Sequence, residues 1–510
     1  MTELLHVADV KSDPEVVLAF GHFSVIHPGH MRYLQRAKSS GRRLVVGVAD
    51  DAIVDGKSKY PFKQVDRATA LRSLDIVDSV VLLDEDGLRK LVDALNPESL
   101  FLGVEFEYTK DLGILAAIDT QRNSGRRVIF SAGDIHSSNI EYLTSSDSDL
   151  ARNRKEKFKL ALARQEISIA DLDLAINKFC EAKVAVVGDL IVDTYIACDA
   201  LGMSAEAPVI VVKELERRQY LGGASIVAAH IQALGAQCCL ASVVGSDETG
   251  LFAADHLSQL GVDARLIRDT SRPTTNKTRY MVENQKLFRV SRLDESKLGY
   301  AVEQALIDQI EDITDSVDVL VVCDFVYGVI TSGVLEKIKD IALRKNILLI
   351  GDVQCSSQVG SITDLVSFDL LCPNEREARV GLKDKDSGLD GLAQKIVEEA
   401  DCKSLIMKLG GDGFIVYQDL AGTKPLREVF PALNTNPADV TGAGDSLLAT
   451  LAVGLASGCN LMVTAALGSC MTSLAVGAIG NVPITRETLN EKVQALMVSD
   501  HKHGSSMDLP

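Results

Sequence analysis

Short apolar runs bounded by turn residues recur along the chain and alternate with stretches of helical period. That pattern predicts parallel sheets covered by helices. Over the first 145 residues the runs are Val16-Val-Leu-Ala-Phe20, Arg43-Leu-Val-Val-Gly-Val48, Ser79-Val-Val-Leu-Leu83, Ser99-Leu-Phe-Leu102 and Arg127-Val-Ile-Phe130. The helical stretch Met31-Arg-Tyr-Leu-Gln-Arg-Ala-Lys38 lies between the first two, so the chain opens as a βαβ unit. A small polar segment, Thr144-Ser-Ser-Asp-Ser-Asp149, leads into a charged helix-favouring stretch from Leu150 to Glu166, and Ser168-Ile-Ala-Asp171 has the cap spacing of a new helix. Strand-like runs return at Val184-Ala-Val-Val-Gly188, Val319-Leu-Val-Val322 and Ile347-Leu-Leu-Ile350. The expected organisation is an α/β domain over 1–145, linker helices over 146–180, a larger α/β domain over 181–500 and a tail over 501–510.

From Ser446 to Thr485 no residue is charged, but Gly454, Gly458, Asn460, Gly468, Gly477, Gly480 and Asn481 interrupt the stretch. Buried helices of a water-soluble core fit it better than a membrane span of about 20 apolar residues. Hydrophobic residues make up 46% of the chain and charged residues 24%, an ordinary globular composition. The net charge of −18 argues against non-specific binding to nucleic acid or to anionic membrane, though not against a local phosphate pocket. All ten cysteines lie at or after Cys180 without a C-x-x-C, so neither zinc nor a disulfide framework is signalled. With no basic segment leading into an apolar core at the N-terminus, a reducing cytoplasmic setting is expected. The basic cluster Arg152-Asn-Arg-Lys-Glu-Lys157 has acidic neighbours and reads as the solvated face of a linker helix.

The first candidate chemistry follows the first strand, in Gly21-His-Phe-Ser-Val-Ile-His-Pro-Gly-His30. Two imidazoles three apart, at a turn into a helix N-terminus, can both donate to the charge that builds when an oxygen attacks the α-phosphorus of a nucleotide. These positions resemble the cytidylyltransferase-like nucleotidyltransferases, with Gly21, Phe23, His27, Gly29, His30, Leu34 and Ala37 matched and Arg67 to Asp78 similar to that family's arginine-to-aspartate helix. The resemblance implies a Rossmann-like domain, His27 and His30 as catalytic residues, and Gly21, Phe23 and Gly29 beside the nucleotide. It also implies that Ser137 and Ser138, in His136-Ser-Ser-Asn139, bind the triphosphate. Leu102 stands where related enzymes often place Lys, and Glu105 where they have Asp. Lys57 and Lys59 are able to hold phosphate, or are exposed loop lysines.

The second candidate is Asn436-Pro-Ala-Asp-Val-Thr-Gly-Ala-Gly-Asp-Ser446. Glycines at a helix start let backbone N–H groups converge on an anion, and a carboxylate fixed beside them can take a proton from an alcohol. Alone, the motif also describes an ordinary glycine turn before a helix. Together with Gly188-Asp189, Asp193, Tyr220-Leu-Gly-Gly-Ala-Ser225, Pro373-Asn-Glu-Arg-Glu377 and Lys408-Leu-Gly-Gly-Asp-Gly413, it resembles the PfkB or ribokinase-like sugar kinases over residues 183–495. That resemblance implies a ribokinase-like α/β sandwich, Asp445 as catalytic base, and Gly442, Ala443 and Gly444 as anion hole. It implies that Asn374 and Glu377 organise Mg²⁺ through water, that Gly410 and Gly413 border ATP, that Asp193, Gly222 and Gly223 border the sugar, and that a monovalent cation assists. Asp193 has a second reading as a turn cap.

Ser204-Ala-Glu-Ala-Pro-Val209, Asn276-Lys-Thr-Arg279 and Asn284-Gln-Lys-Leu-Phe-Arg289 resemble the heptose-7-phosphate kinase branch. Lys277, Arg279 and Arg289 are either a cationic set for a second substrate phosphate or surface strand charges. Ile226, Tyr327 and Gln354 replace an Asn and two Lys of that branch, so another sugar phosphate is an open alternative. The pairing of domains resembles the bifunctional enzymes that make ADP-heptose, with the order of the two domains reversed. Expected substrates are a sugar phosphate, ATP and a second NTP (ATP or CTP). The expected assembly is a homodimer, without nucleic acid or membrane partners. An alternative is a kinase carrying an idle nucleotide-sensing first domain.

Overall fold

The structure, a computed structural model, describes residues 3–51, 53–54, 57–58, 60–84, 87–103, 106–107, 109, 111–131, 147–283, 285–354, 360–420, 422 and 425–497. The chain divides into two units, residues 1–144 with 383–394 and residues 145–382 with 395–510.

The first unit is built from β1 (Glu3–His6), β2 (Val16–Gly21), α1 (Pro28–Ser39), β3 (Arg43–Val48), α2 (Gln64–Arg72), β4 (Ser79–Leu82), α3 (Gly87–Leu95), β5 (Ser99–Gly103), α4 (Leu112–Asn123) and β6 (Arg127–Ser131). Its six strands run parallel in the order β1-β4-β3-β2-β5-β6. The expected strands are all present, and β1 adds an edge strand that the sequence pattern did not single out. From β2 the chain winds outward to β3 and β4, then returns to β5 on the other side. The C-terminal end of β2 is therefore the switch point where open α/β sheets bind ligands. Leu102 is fully buried in the core on β5, so its side chain offers nothing to an acceptor. Lys57 lies in a two-residue strand paired with Ile53–Val54. Lys59, Glu105, Ser137 and Ser138 lie outside the described residues.

The second unit begins with α5 (Asp147–Arg164) and α6 (Ile169–Lys178). Neither is a solvated connector. Phe158, Ala161 and Leu162 of α5 and Leu172, Ala175 and Ile176 of α6 enter the main hydrophobic cluster of this unit. Arg164 forms a paired contact to the buried carboxylate of Glu428, at 3.1 and 2.5 Å, and Arg154 donates to the carbonyls of Ala432 and Asn434. The apolar face of α5 was concealed in the sequence by its dense charges.

The sandwich itself consists of β7 (Lys183–Gly188), β8 (Leu190–Met203), β9 (Ile210–Gly223), α7 (Ala224–Ala233), β10 (Gln237–Val244), α8 (Glu248–Gln259), β11 (Asp263–Arg268), β12 (Thr275–Val282), β13 (Gln285–Arg292), α9 (Tyr300–Ile313), β14 (Val319–Asp324), α10 (Ser332–Lys345), β15 (Leu348–Val353), β16 (Leu370–Leu371), α11 (Glu375–Gly381), β17 (Ser404–Lys408), β18 (Phe414–Gln418), β19 (Leu426–Phe430), α12 (Ala443–Ala456), α13 (Leu461–Ala475) and α14 (Arg486–Met497). Nine strands form the main sheet in the order β11-β10-β7-β14-β15-β16-β17-β18-β19, parallel as far as β17 and antiparallel beyond it. A separate four-stranded sheet has the order β9-β8-β12-β13. The uncharged stretch after Ser446 forms most of α12 and α13, which pack on each other, and α12 is buried from Asp445 to Gly454. Among the described residues no helix is long and apolar enough to cross a membrane.

Candidate active sites

In the first unit, the loop leaving β2 turns sharply. Phe23 has a positive φ of 48° and its ring is buried, while a Cβ on Gly21 would sit 2.9 Å from that ring. Glycine at 21 therefore permits the inward turn of Phe23. The ring of Phe23 lies 5.1 Å from that of His30, so it backs the histidine and presents no open surface to a nucleotide base. His27 is the N-cap of α1, where its Nδ1 accepts from the Gly29 N–H at 3.1 Å. In the neutral ring that contact places the proton on Nε2, a donor for phosphate oxygen. The two histidine rings lie 4.0 Å apart at the helix start. Burial, and then the neighbouring His27, lower the pKa of His30 to about 4, so its ring is neutral at pH 7. The loop is fixed by the buried Arg67 of α2, whose guanidinium donates to the carbonyls of His22, Ala49 and Asp50 and pairs with Asp51 at 3.0 Å.

In the second unit, α12 starts at Gly442, whose φ of 78° is left-handed and whose Cβ, if present, would collide with Asn481 Oδ1. The first-turn N–H groups at Gly444 and Asp445 have no partner further up the helix, and the helix dipole adds positive potential there. A Cβ on Gly444 would lie 3.4 Å from Lys408 Nζ and 3.8 Å from Gln354 Nε2, so three elements converge on this turn. Asp445 is buried, and Gln354 Nε2 donates to its Oδ1 at 3.0 Å. Burial, reinforced by the adjacent Asp352 carboxylate, pushes the Asp445 pKa up to about 7. That value suits a general base at neutral pH.

Lys408 ends β17 and Asp352 lies in β15, and the ammonium contacts both carboxylate oxygens at 2.8 and 2.7 Å. Burial disfavours the charge of Lys408, but the Asp352 and Glu377 carboxylates overcome it and hold the amine protonated. Asn374 caps α11 and accepts from the Glu377 N–H at 2.8 Å, while Glu377 accepts from the Asn374 N–H at 2.7 Å. The pair is thus a reciprocal capping box with a buried acid. Gly410 has a φ of 59° and open space at its Cβ position, whereas a Cβ on Gly413 would strike the Phe430 carbonyl.

Asp193 sits within β8 and is not a turn cap. It pairs with Arg279 of β12, and Asn481 donates to its second oxygen at 3.2 Å. A Cβ on Gly222 would lie 2.5 Å from that same oxygen, and Gly223, with φ 58°, precedes α7. Lys277 is buried, with its ammonium 5.4 and 5.1 Å from the ring centres of Phe325 and Tyr327. Asp193 and Lys277 both lie close enough to act on the charge of Asp445, in opposite directions. The expected cationic set is divided: the Arg279 guanidinium is taken by Asp193, and Arg289, opposite Arg279 in the β12–β13 register, is exposed.

Sequence reasoning passed over Lys408, Asp352, Asn481 and Asp439. Asp439 accepts from Tyr195 at 2.7 Å, Lys286 at 2.9 Å and the Thr441 hydroxyl at 2.8 Å, which ties β8 and β13 to the glycine turn. A signal for Lys408 was present: it closes the apolar run Ser404-Leu-Ile-Met-Lys408 at the end of a buried strand, where a lysine needs a partner.

The pfkB family of carbohydrate kinases matches residues 181–486, more than half of the 510 residues. The chain belongs to that family. Residues 18–131 match the cytidylyltransferase-like family. Among curated relatives, the bifunctional protein HldE of Trichlorobacter lovleyi is 34% identical over 311 residues, covering 59% of this chain and 61% of that protein. The bifunctional protein HldE of Helicobacter hepaticus is 29% identical over 313 residues, covering 60% and 63%. The chain thus spans about three-fifths of the length of these relatives. Phosphofructokinase-2 of Escherichia coli, in its crystal structure with potassium, aligns over 62% of this chain and 99% of its own with a TM-score of 0.51 and 17% identity. At that identity the likeness shows the fold alone.

Proposed function

We propose that the chain activates a sugar in two steps. The kinase unit transfers the γ-phosphoryl group of ATP to a hydroxyl of a phosphorylated, heptose-like sugar. Once a separate hydrolysis has removed the phosphate the sugar already carried, the cytidylyltransferase-like unit transfers a nucleotidyl group from ATP or CTP to the sugar 1-phosphate, giving a nucleotide-sugar such as ADP-heptose. The observation that carries the reading is Asp445: a buried base with a pKa near 7, beside unpaired helix N–H groups and facing Asp193 and Lys277. Its carboxylate takes the proton of the acceptor hydroxyl as the new O–P bond forms, and ADP leaves with the electrons of the broken bond. The turn at Gly442, Ala443 and Gly444, with Lys408 beside it, faces the oxygens of the transferring group. In the second step His27 and His30 donate to the α-phosphate as the sugar phosphate oxygen attacks and pyrophosphate departs.

Asn374 and the buried acid Glu377 would hold Mg²⁺ through water; an oxygen-only set suits that hard cation, which supplies charge neutralisation on the nucleotide when bound. A monovalent cation near the glycine turn, ATP and Gly410 at the nucleotide, and a cytoplasmic setting with free thiols belong to the same reading. So does a homodimer, because the four-stranded sheet leaves Leu201, Met203, Ile210, Leu215, Phe288 and Val290 each more than half exposed.

A second reading keeps the kinase chemistry and changes the acceptor to another sugar or polyol phosphate, with a CTP-using or idle first unit. It is favoured by Tyr327 and Gln354 where the heptose branch has lysines, and by Ile226, which is wholly buried. ATP consumption against a panel of sugar phosphates, with Asp445→Asn as control, decides between them. Turnover of heptose 7-phosphate that disappears in Asp445→Asn supports the first reading. Turnover of a different sugar phosphate selects the second. Failure to phosphorylate any acceptor together with failure to bind MgATP refutes both.

A further inference from the structure

Among the described residues one side chain donates a hydrogen bond to the Asp445 carboxylate: Gln354, from Nε2 to Oδ1 at 3.0 Å. Gln354 follows directly on β15, and its own N–H donates to the Asp324 carbonyl at 2.8 Å, so its amide projects from a fixed point of the main sheet. Lys408 Nζ lies 3.4 Å from where a Gly444 Cβ would sit, yet it is engaged with both oxygens of Asp352.

We propose that Gln354 is the positioning residue of the kinase base: its amide fixes Oδ1 of Asp445, turns Oδ2 toward the acceptor hydroxyl, and does so without placing a charge beside the carboxylate. The inference rests on Asp445 being the base. An oriented carboxylate needs one oxygen held and one left to receive the proton, and a single amide donor provides that division. The charged and titratable groups that face Asp445 come from four strands. They are Asp352 of β15, Lys408 of β17, Asp193 of β8 and Lys277 of β12, with the thiol of Cys323 on β14 nearby. Asp352 and Lys408 act on Asp445 in opposite directions and hold each other in a buried pair, so a change at 354 alters the charge that Asp445 feels without breaking that pair. Burial and Asp352 leave its pKa at about 7 in the presence of the amide.

The test uses the full chain and the variants Gln354→Leu, Gln354→Lys and Asp445→Asn. The titration of Asp445 is read from its ¹³C carboxylate resonance, assigned as the signal lost in Asp445→Asn, so the result does not depend on knowing the acceptor. Removing the donor in Gln354→Leu moves the midpoint to higher pH by about one unit, and the cation of Gln354→Lys moves it lower by a similar amount. With whichever sugar phosphate of the panel is turned over, Gln354→Leu lowers kcat about tenfold at high pH while KM for ATP stays within about twofold. Gln354→Asn, one methylene short of Oδ1, replaces the leucine variant if that one does not fold. Midpoints unchanged in both the Leu and Lys variants overturn the inference even where Asp445→Asn is inactive. Full activity in Asp445→Asn overturns the kinase reading and this inference with it.

Discussion

Replacing Lys408 by Met leaves Asp352 as a buried carboxylate with no partner, and the size of the penalty follows from the geometry. The ammonium contacts both carboxylate oxygens, and the two side chains are 13% and 2% exposed. Breaking such a pair from one side costs about 3–5 kcal/mol, far more than an exposed ion pair, because the remaining charge stays desolvated. Asp352→Asn, which strands the lysine, carries a similar penalty. The double variant leaves no uncompensated charge and recovers most of the loss, with a coupling energy of about 2–4 kcal/mol. The chain has no tryptophan, so urea unfolding is followed by far-UV circular dichroism, with the transition of the kinase unit identified by its shift on adding MgATP. Since Lys408 Nζ lies beside Gly444, Lys408→Met also lowers kcat by about 10²-fold at saturating ATP. Single variants that each lose less than about 1 kcal/mol, or losses that add without coupling, would refute the buried-pair argument.

Further outcomes are expected at three residues. Because the folded Asp445 has its pKa raised from 3.8 to about 7, kcat climbs with pH to a plateau above 7. The same shift means the unfolded chain ionises first, so the Asp445 contribution to stability falls as pH rises from about 4 to about 7, and Asp445→Asn, measured by Tm at pH 5 and pH 8, loses that slope. In the first unit, His30→Ala lowers nucleotidyl transfer by about 10²–10³-fold in a pyrophosphate-release assay. With the His30 pKa lowered to about 4, wild-type transfer shows no histidine-30 inflection between about pH 5.5 and 8. Gly442→Ala forces a left-handed φ on a residue with a side chain and drives it into Asn481, which holds Asp193 and the Leu221 carbonyl; a loss of about 2–4 kcal/mol is expected by denaturant titration.

Much of the architecture was legible because local signals agreed. Buried strands of the six- and nine-stranded sheets showed as short apolar runs, and the glycine turns marked the helix starts at α1 and α12. Asp445, His27, His30 and Gly442 lie at those helix starts. What escaped the sequence was pairing across distance. Asp352 and Lys408 are 56 positions apart, and Asp193 and Asn481 are 288 apart, separations at which no periodicity operates. The sequence neighbourhood of Arg279 offers it either to a substrate phosphate or to a strand surface, whereas in space it pairs with the buried Asp193. The helix α5 was misread for a related reason: its charges are local, but its apolar face is defined only by the sheet it covers.

That helix has a consequence for modularity. A kinase expressed from residue 181 would begin after Phe158, Ala161, Leu162, Leu172, Ala175, Ile176 and Phe179, all of which line the principal core of the larger unit. The fragment would carry an open apolar trough and an unanswered Glu428, the partner of Arg164. The N-terminal boundary of the kinase unit therefore lies ahead of residue 147, and α5 and α6 are inherited with it. A reordering of the two catalytic units that conserved only the family-matched segment would transmit an unstable half.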